Sequence, residues 1–226
     1  MSTNLKLGGH KLGQDYGYYI DKVPQNVLEE LGQQINRVKS NFSKGERFNH
    51  QLIGEIEHEY LIHPQPQTKQ YIRNLSQQFE NEFQYMFKNY NPIPPLKVDE
   101  LWVNFQKKHE YNPIHNHNGV YSFVIWYQIP FTFENEKKYS HKQNNTIDGC
   151  KHGKFSFVIP DLFSKKGNII TVELDIDQSK EGYIAIFPST LHHTVNPFYS
   201  SDEYRITIAG NVEAGDFHVY APPKPI

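Results

Sequence analysis

After Pro95 the chain becomes a succession of short segments rich in β-branched and aromatic residues, with turn residues between them. Such segments favour strands, because these side chains pack well on a pleated surface. The fifteen Tyr and fifteen Phe of the sequence supply enough large side chains for a sizeable core. We predict strands near Lys97–Phe105, Pro113–His117, Val120–Pro130, Lys154–Pro160, Asn168–Asp175, Gly182–Phe187, His193–Asn196, Glu203–Val212 and Phe217–Tyr220.

The part of the chain before Pro95 has a helical pattern. Pro24 occupies a position favoured at the first turn of a helix, and Thr68 is a candidate N-cap for a second helix. Apolar residues recur at steps of three and four in both segments, which indicates one buried face each. These faces consist of Val27, Leu28, Leu31, Ile35 and Val38 in the first helix and Ile72, Leu75, Phe79, Phe83 and Met86 in the second.

Helices followed by many short strands predict a mainly β fold, a sandwich or jelly roll with N-terminal helices on one face. We expect a helical layer, residues 1–95, packed on a β core, residues 96–226, within one structural domain. The stretch Glu134–Gly153 is rich in Lys, Asn and His, and we expect a mobile loop there that can close over a site or form a plain insertion.

Composition limits the classes of partner. The formal net charge is −2, which gives no long-range attraction for nucleic acid or an anionic membrane. The longest apolar stretch, Tyr121–Phe131, is too short to span a bilayer, and Met1–Gln14 lacks the apolar region of a signal peptide. The single cysteine, Cys150, fits a reducing compartment. We therefore predict a cytoplasmic protein; the oligomeric state stays open.

The pair His115 and His117 has the spacing of metal ligands. Side chains two residues apart on a strand point to the same side, so both imidazoles can reach one ion. His193 follows a buried strand and a turn, and it can complete a tripod that leaves positions open on the metal. His192 competes with His193 for this role, because spacing alone does not separate them. A chance histidine pair in an exposed turn is the plain alternative.

Arg205 lies twelve residues after His193, on the next predicted strand. It shares one face of that strand with Thr207, Ala209 and Asn211, which is a small and polar face typical of a pocket wall. A guanidinium group matches a carboxylate with two parallel hydrogen bonds, and a threonine hydroxyl can add a third. We predict that Arg205 holds an anionic co-substrate; a structural ion pair with Glu203 or Asp202 is the alternative.

Taken together, these residues resemble the iron- and 2-oxoglutarate-dependent dioxygenases, in particular the prolyl-hydroxylase-like branch with its many uncharacterised bacterial and phage proteins. The resemblance extends roughly from Leu101 to Val212 and leaves the preceding helices unassigned. The residues that carry it are Tyr111 to Gly119, Ser122 to Ile125, Gly182 to His193 and Arg205 to Asn211.

The resemblance implies a double-stranded β-helix, a jelly roll or cupin-like core, that uses Fe(II), 2-oxoglutarate and dioxygen to hydroxylate a substrate. It implies His115 and His193 as metal ligands. It also implies that Arg205 and the hydroxyl of Thr207 bind the distal carboxylate of 2-oxoglutarate, with Tyr127 as a candidate third partner. The substrate is a small molecule or a peptide of unknown identity.

This sequence departs from the family pattern at His117, where most members have Asp or Glu. The substitution adds one unit of positive charge to the site and favours zinc or nickel more than the usual pattern does. Asn118 or a water molecule is an alternative third ligand. Two other functions remain open: a three-histidine, cupin-like metalloenzyme without 2-oxoglutarate, and a non-catalytic jelly-roll binding module.

Overall fold

The computed structural model describes residues 6–12, 16–90, 93–141, 149–160 and 168–215. The strands in these ranges are β1 (Gly8–Lys11), β2 (Gly17–Lys22), β3 (His58–Ile62), β4 (Leu96–Lys97), β5 (Leu101–Gln106), β6 (Asn112–His115), β7 (Tyr121–Gln128), β8 (Phe155–Pro160), β9 (Ile169–Leu174), β10 (Tyr183–Pro188), β11 (His193–Val195) and β12 (Arg205–Ala214). The α-helices are α1 (Gln25–Ser40), α2 (Pro66–Phe83) and α3 (Phe133–Lys137). The strand predicted at Phe217–Tyr220 lies outside the described residues.

The strands form two antiparallel sheets. The larger sheet has the order β1-β2-β10-β7-β12-β5-β3, with β4 paired to β12. The smaller sheet has the order β6-β11-β8-β9. Many neighbours in these sheets are distant in the sequence, as in a double-stranded β-helix, so the prediction of a mainly β jelly roll with helices at the N-terminus is confirmed.

Two apolar clusters define the layers. One lies between the helices α1 and α2 and the outer face of the larger sheet; it includes Leu31, Phe79, Val103 and Ile208. The other lies between the two sheets and includes Val124, Phe157 and Phe187. Because side chains alternate along each strand of the larger sheet, one face of that sheet contributes to the first cluster and the other face to the second. No helix in the described part of the chain combines the length and apolarity needed to cross a bilayer.

The N-terminal part differs from the expected helical layer. Strands β1, β2 and β3 all belong to the larger sheet, so the first 95 residues contribute strands as well as helices. Thr68 is not an N-cap: it lies inside α2, is fully buried and donates its hydroxyl hydrogen bond to Glu30. Helix α2 instead begins at Pro66, with the proline within its first turn.

The stretch expected as a loop at 134–153 is partly packed. Helix α3 occupies its beginning, and the Glu136 carboxylate is fully buried and accepts hydrogen bonds from the backbone N–H groups of Tyr199 and Ser200. Gly153, at its end, hydrogen-bonds through its backbone to the segment after β11. Residues 142–148 lie outside the described part, so the expected lid remains a prediction.

Candidate metal and co-substrate site

The smaller sheet brings three histidines together. His115 ends β6, His193 begins β11, and the two residues are cross-strand partners in the antiparallel pair β6-β11. His117 follows β6 by two residues, so its side chain returns to the same side as that of His115. One ring nitrogen from each residue lies within 4.8 Å of the corresponding atoms of the other two. The structure therefore brings together the three histidines singled out in the sequence.

Backbone carbonyl groups orient two of the rings. Nδ1 of His115 lies 2.7 Å from the carbonyl oxygen of Pro113, and Nδ1 of His193 lies 3.0 Å from that of Leu191. A carbonyl oxygen only accepts, so each Nδ1 carries the proton and each Nε2 keeps its lone pair for a metal. Nε2 of His117 is 3.3 Å from Nε2 of His193, so these two ring nitrogens lie next to each other.

His193, and not His192, lies together with His115 and His117 in the cluster. Both residues line the cavity, but the side chain of His193 is 4% exposed, whereas that of His192 is largely exposed to solvent. The ring of His193 stacks on Phe155 at 5.3 Å between ring centres and contacts Phe187. Asn118 is exposed and does not line the cavity that contains the three histidines. The structure thus groups His193 and His117, and not His192 or Asn118, with His115.

Burial keeps the three imidazoles neutral. Loss of solvation lowers the pKa of His115, lowers that of His117 to about 4, and lowers that of His193 well below its ordinary value. The mutual repulsion of the three rings acts in the same direction. A neutral imidazole is the form that binds a metal ion, so the cluster is in its ligand form at neutral pH.

Arg205 begins β12 in the larger sheet and lines the same cavity as the histidines. Its guanidinium donates to Oε1 of Gln106 from both Nε and Nη2, at 2.9 and 2.6 Å. It also donates to the backbone carbonyls of Gly153 at 2.7 Å and Asn196 at 3.1 Å. The alternative considered for Arg205, an ion pair with Glu203 or Asp202, does not form: Glu203 is exposed and Asp202 pairs with Lys108.

All these partners of Arg205 are uncharged. The guanidinium is 3% exposed and lies 5.8 and 5.6 Å from the ring centres of Phe131 and Phe198. Desolvation lowers its pKa to about 9, and the more distant carboxylate of Glu136 partly opposes that shift. Within the described ranges no carboxylate lies at ion-pair distance from Arg205. A buried cation without a counterion favours an incoming anion, because a desolvated charge is costly when unpaired.

Of the two residues predicted to bind the co-substrate together with Arg205, one lines the cavity and the other does not. Thr207 lies on the cavity wall two residues after Arg205, and its hydroxyl accepts a hydrogen bond of 3.1 Å from the amide of Asn104. Tyr127 does not join the site. It lies on the opposite face of β7 and packs into the helix cluster, where a side chain at Gly32 of α1 would come within 2.5 Å of its hydroxyl. The alternation along β7 explains this correction, since Val124 and Trp126 are the residues that face the cavity.

Gln106 is the main residue that the sequence analysis missed. It is the cross-strand partner of Arg205 in the pair β5-β12 and fixes the orientation of the guanidinium. The predicted strand near Lys97–Phe105 stopped one residue too early to include it. Glu59, Asn104 and Asn112 were missed as well, and all of them line the cavity, whose volume is about 410 Å³. That volume is typical of a small-molecule site.

Comparisons with known proteins agree with this geometry. Residues 100–211 match a family model described as "Putative 2OG-Fe(II) oxygenase", where 2OG is 2-oxoglutarate. The chain belongs to the 2OG-Fe(II) oxygenase family. The matched segment contains all three histidines of the cluster and Arg205. No curated protein matches the sequence.

Solved structures share the fold at low sequence identity. A prolyl-4-hydroxylase from Pseudomonas putida aligns with a TM-score of 0.51 and 12% identity, covering 89% of this chain and 94% of the other. The carbocyclase SnoK from nogalamycin biosynthesis, described as non-heme and alpha-ketoglutarate dependent, aligns with a TM-score of 0.50 and 11% identity, covering 90% and 81%. These alignments extend the likeness in fold to the N-terminal part of the chain.

The residues present fit the cofactor and co-substrate of this family. Three neutral imidazoles are suitable ligands for Fe(II), and their arrangement leaves coordination positions open. In the described part of the chain the cluster consists of three histidines and contains no carboxylate. The uncompensated guanidinium of Arg205 in the same cavity fits the carboxylate of 2-oxoglutarate.

Proposed function

We propose that this Fe(II)/2-oxoglutarate-dependent oxygenase is a hydroxylase that binds iron through His115, His117 and His193 and 2-oxoglutarate through Arg205 and Thr207. One observation carries the proposal: three converging imidazoles and a buried guanidinium without a carboxylate partner line a single cavity. Fe(II) at such a site couples the oxidative decarboxylation of 2-oxoglutarate by dioxygen to hydroxylation of a C–H bond.

Within this proposal each side chain has a defined task. The carbonyl oxygens of Pro113 and Leu191 hold the protons of His115 and His193 on Nδ1, so each ring presents Nε2 to the ion. Gln106 holds the guanidinium of Arg205 in position for a carboxylate. The side chains of Trp102, Trp126 and other aromatic residues line the cavity and limit its water content, which strengthens the contact between the guanidinium and the carboxylate.

The reaction test is succinate formation from 2-oxoglutarate with Fe(II) under air. We expect the wild-type protein and His192→Ala to form succinate at similar rates. We expect His193→Ala and Arg205→Met to form it at least about 100-fold more slowly. His192→Ala is the matched control, because it removes the neighbouring exposed imidazole. Wild-type protein that binds Fe(II) but does not bind 2-oxoglutarate would contradict the proposal and favour a three-histidine metalloenzyme without this co-substrate.

We further propose that the substrate is a small molecule or a peptide, and that neither nucleic acid nor a membrane is a partner. The net charge of −2 supports this, because phosphate-rich surfaces attract proteins with an excess of positive charge. A cytoplasmic location is also proposed, on the basis of the single cysteine.

A further inference from the structure

Next to Thr207, the cavity contains further polar side chains that the proposed function does not use. Glu59 on β3 is the cross-strand partner of Asn104 on β5, and Asn104 is the cross-strand partner of Thr207 on β12. These three residues form a row on the inner face of the larger sheet, and all line the cavity. Arg205 and Gln106 form a second row beside the first. Each of them is two residues away from Thr207 or Asn104 on the same strand, a distance of roughly 7 Å.

Two buried amide oxygens, one in this row and one close to it, have no hydrogen-bond partner among the described residues. The side chain of Asn104 is 6% exposed; its Nδ2 donates to Thr207, while its buried Oδ1 has no hydrogen-bond partner among the described residues. Oδ1 of Asn112, at the start of β6, is likewise buried and unpaired in that part of the chain. Unsatisfied buried acceptors are rare in folded proteins and mark the place of a missing donor.

Glu59 adds a carboxylate to these two amides. Its side chain is 1% exposed and receives one hydrogen bond, of 3.2 Å, from Asn49 to Oε2. A side chain at Gly54 would collide with Oδ1 of Asn112 and come within 3.0 Å of Oε1 of Glu59. Both oxygens therefore lie beside Gly54, and the absence of a Cβ there leaves room for the side chain of Asn112 to approach Glu59.

We propose that Glu59, Asn104 and Asn112 recognise the substrate of this oxygenase, and that they bind a cationic nitrogen group, an ammonium or a guanidinium. The inference rests on the proposed function, since it places the substrate beside the metal and co-substrate. Three oxygen acceptors, one of them a carboxylate, complement a group that only donates. The guanidinium of Arg205 does not oppose this binding once a carboxylate of 2-oxoglutarate has paired with it.

The ionisation of Glu59 gives this proposal a distinctive signature. Desolvation, with a smaller contribution from the nearby Glu110 at the turn between β5 and β6, raises the pKa of Glu59 to about 8. The side chains of Asn49, Asn104 and Asn112, which lie beside Glu59, are neutral amides. The carboxyl is thus protonated in the empty cavity at pH 7, and a bound cation ionises it. We expect one proton to be released on binding at neutral pH.

The test uses two small probes of the same shape, n-butylguanidinium and the neutral n-butylurea. Their binding is measured by calorimetry to the Zn(II)-loaded protein with saturating 2-oxoglutarate, so that no turnover occurs. We expect the guanidinium to bind at least about tenfold more tightly than the urea, because a hydrogen bond to a charged group has this strength. Buffers with different ionisation enthalpies reveal the released proton.

The key variant is Glu59→Gln, which keeps the shape of the side chain and removes its charge. We expect it to abolish both the preference for the guanidinium probe and the proton release. Glu55→Gln is the matched control, because Glu55 is an exposed carboxylate four residues away that does not line the cavity; it should retain both. Gly54→Ala should weaken binding of the guanidinium probe, although it leaves the charge of the site unchanged.

Equal binding of the two probes, no binding of either, or an unchanged preference in Glu59→Gln would each overturn the inference. The same titrations report 2-oxoglutarate binding separately. If 2-oxoglutarate binds and the probes behave in one of these ways, the recognition of a cation is wrong while the proposed function stands. If 2-oxoglutarate fails to bind, the proposed function fails, and the probe titration without it still decides whether the acceptor group binds cations.

Discussion

At the scale of single residues, strand alternation is what made the metal site predictable. His115 and His117 share one side of their segment, and Arg205 and Thr207 share one side of β12, which the sequence alone indicates. The choice between His192 and His193 could not be predicted, since it depends on how β11 pairs with β6. Tyr127 shows the same limit, because the sequence does not tell which face of a fully buried strand meets the cavity.

The first prediction concerns the distal ligand. His193→Ala should weaken Fe(II) or Zn(II) binding by more than about 100-fold, since loss of a mere outer partner of a ligand costs about 10- to 100-fold. His192→Ala should leave the affinity within about twofold. Competition with a chromophoric chelator measures both variants. An equal loss of metal affinity in the two variants would contradict the choice of His193 over His192 as the ligand.

The second prediction concerns the co-substrate. Arg205→Met keeps most of the side-chain volume and removes the charge, and it should weaken 2-oxoglutarate binding by about 10- to 100-fold, the strength of a charge-assisted hydrogen bond. Arg205→Lys should fall between this variant and the wild type, because a lysine retains the charge but lacks the planar fork. Calorimetry with Zn(II)-loaded protein gives the affinities. If Arg205→Met binds 2-oxoglutarate as tightly as the wild type, Arg205 does not bind the co-substrate.

At the scale of elements, the sequence pattern predicted the strands from β5 to β12 to within a few residues and both long helices. The strands before Pro95 were missed because β1, β2 and β3 are short and carry polar residues, as in His58-Glu59-Tyr60-Leu61-Ile62. Their pairing with distant strands of the larger sheet, and not a local preference, makes them strands. This pairing also explains why Glu59 could not be recognised as a cavity residue.

Helix α2 is fastened to the sheet by Glu80, which provides the third prediction. Its buried carboxylate accepts hydrogen bonds from the backbone N–H groups of Met86 and Phe87, the latter at 2.7 Å, and from the hydroxyl of Tyr121 on β7. Glu80→Ala should lower the free energy of unfolding by about 2–4 kcal/mol, because it leaves several buried donors without a partner. Glu82→Ala, an exposed carboxylate on the same helix, should change it by less than about 0.5 kcal/mol in chemical denaturation. Similar losses for both would contradict this role of Glu80.

At the scale of the whole molecule, the site depends on the packing of the two sheets face to face. The smaller sheet presents the histidines, and the larger sheet presents Arg205 and the Glu59–Asn104–Thr207 row. The sequence indicated each half through a local pattern, but the distance between the halves depends on long-range pairing. The helices α1 and α2 cover the outer face of the larger sheet and leave its inner face to the cavity.

The fourth prediction concerns the stability of the metal-free protein at acidic pH. The pKa of His117 is lowered to about 4 from its ordinary 6.5, and those of His115 and His193 are lowered too, so the unfolded chain binds more protons below pH 6.5 than the folded one. Stability should therefore fall as the pH decreases from about 6.5 towards 4. The raised pKa of Glu59 acts in the opposite direction between its ordinary 4.5 and about 8, but it is one group against three.

Urea denaturation of the metal-free protein between pH 7 and 4.5 measures this dependence. His117→Gln should show a shallower loss of stability than the wild type, because one of the depressed groups is gone, and Glu59→Gln should show a steeper one. A wild-type stability that stays constant or rises below pH 6.5 would mean that the histidines are not buried in their neutral form.

A crystal structure of the protein with Fe(II) and 2-oxoglutarate, prepared without oxygen, would show the metal ligands and the co-substrate contacts together. We expect one metal ion bonded to a ring nitrogen of each of His115, His117 and His193, and a carboxylate of 2-oxoglutarate hydrogen-bonded to the guanidinium of Arg205. A metal bound elsewhere, or 2-oxoglutarate that leaves Arg205 without an anionic partner, would contradict this expectation.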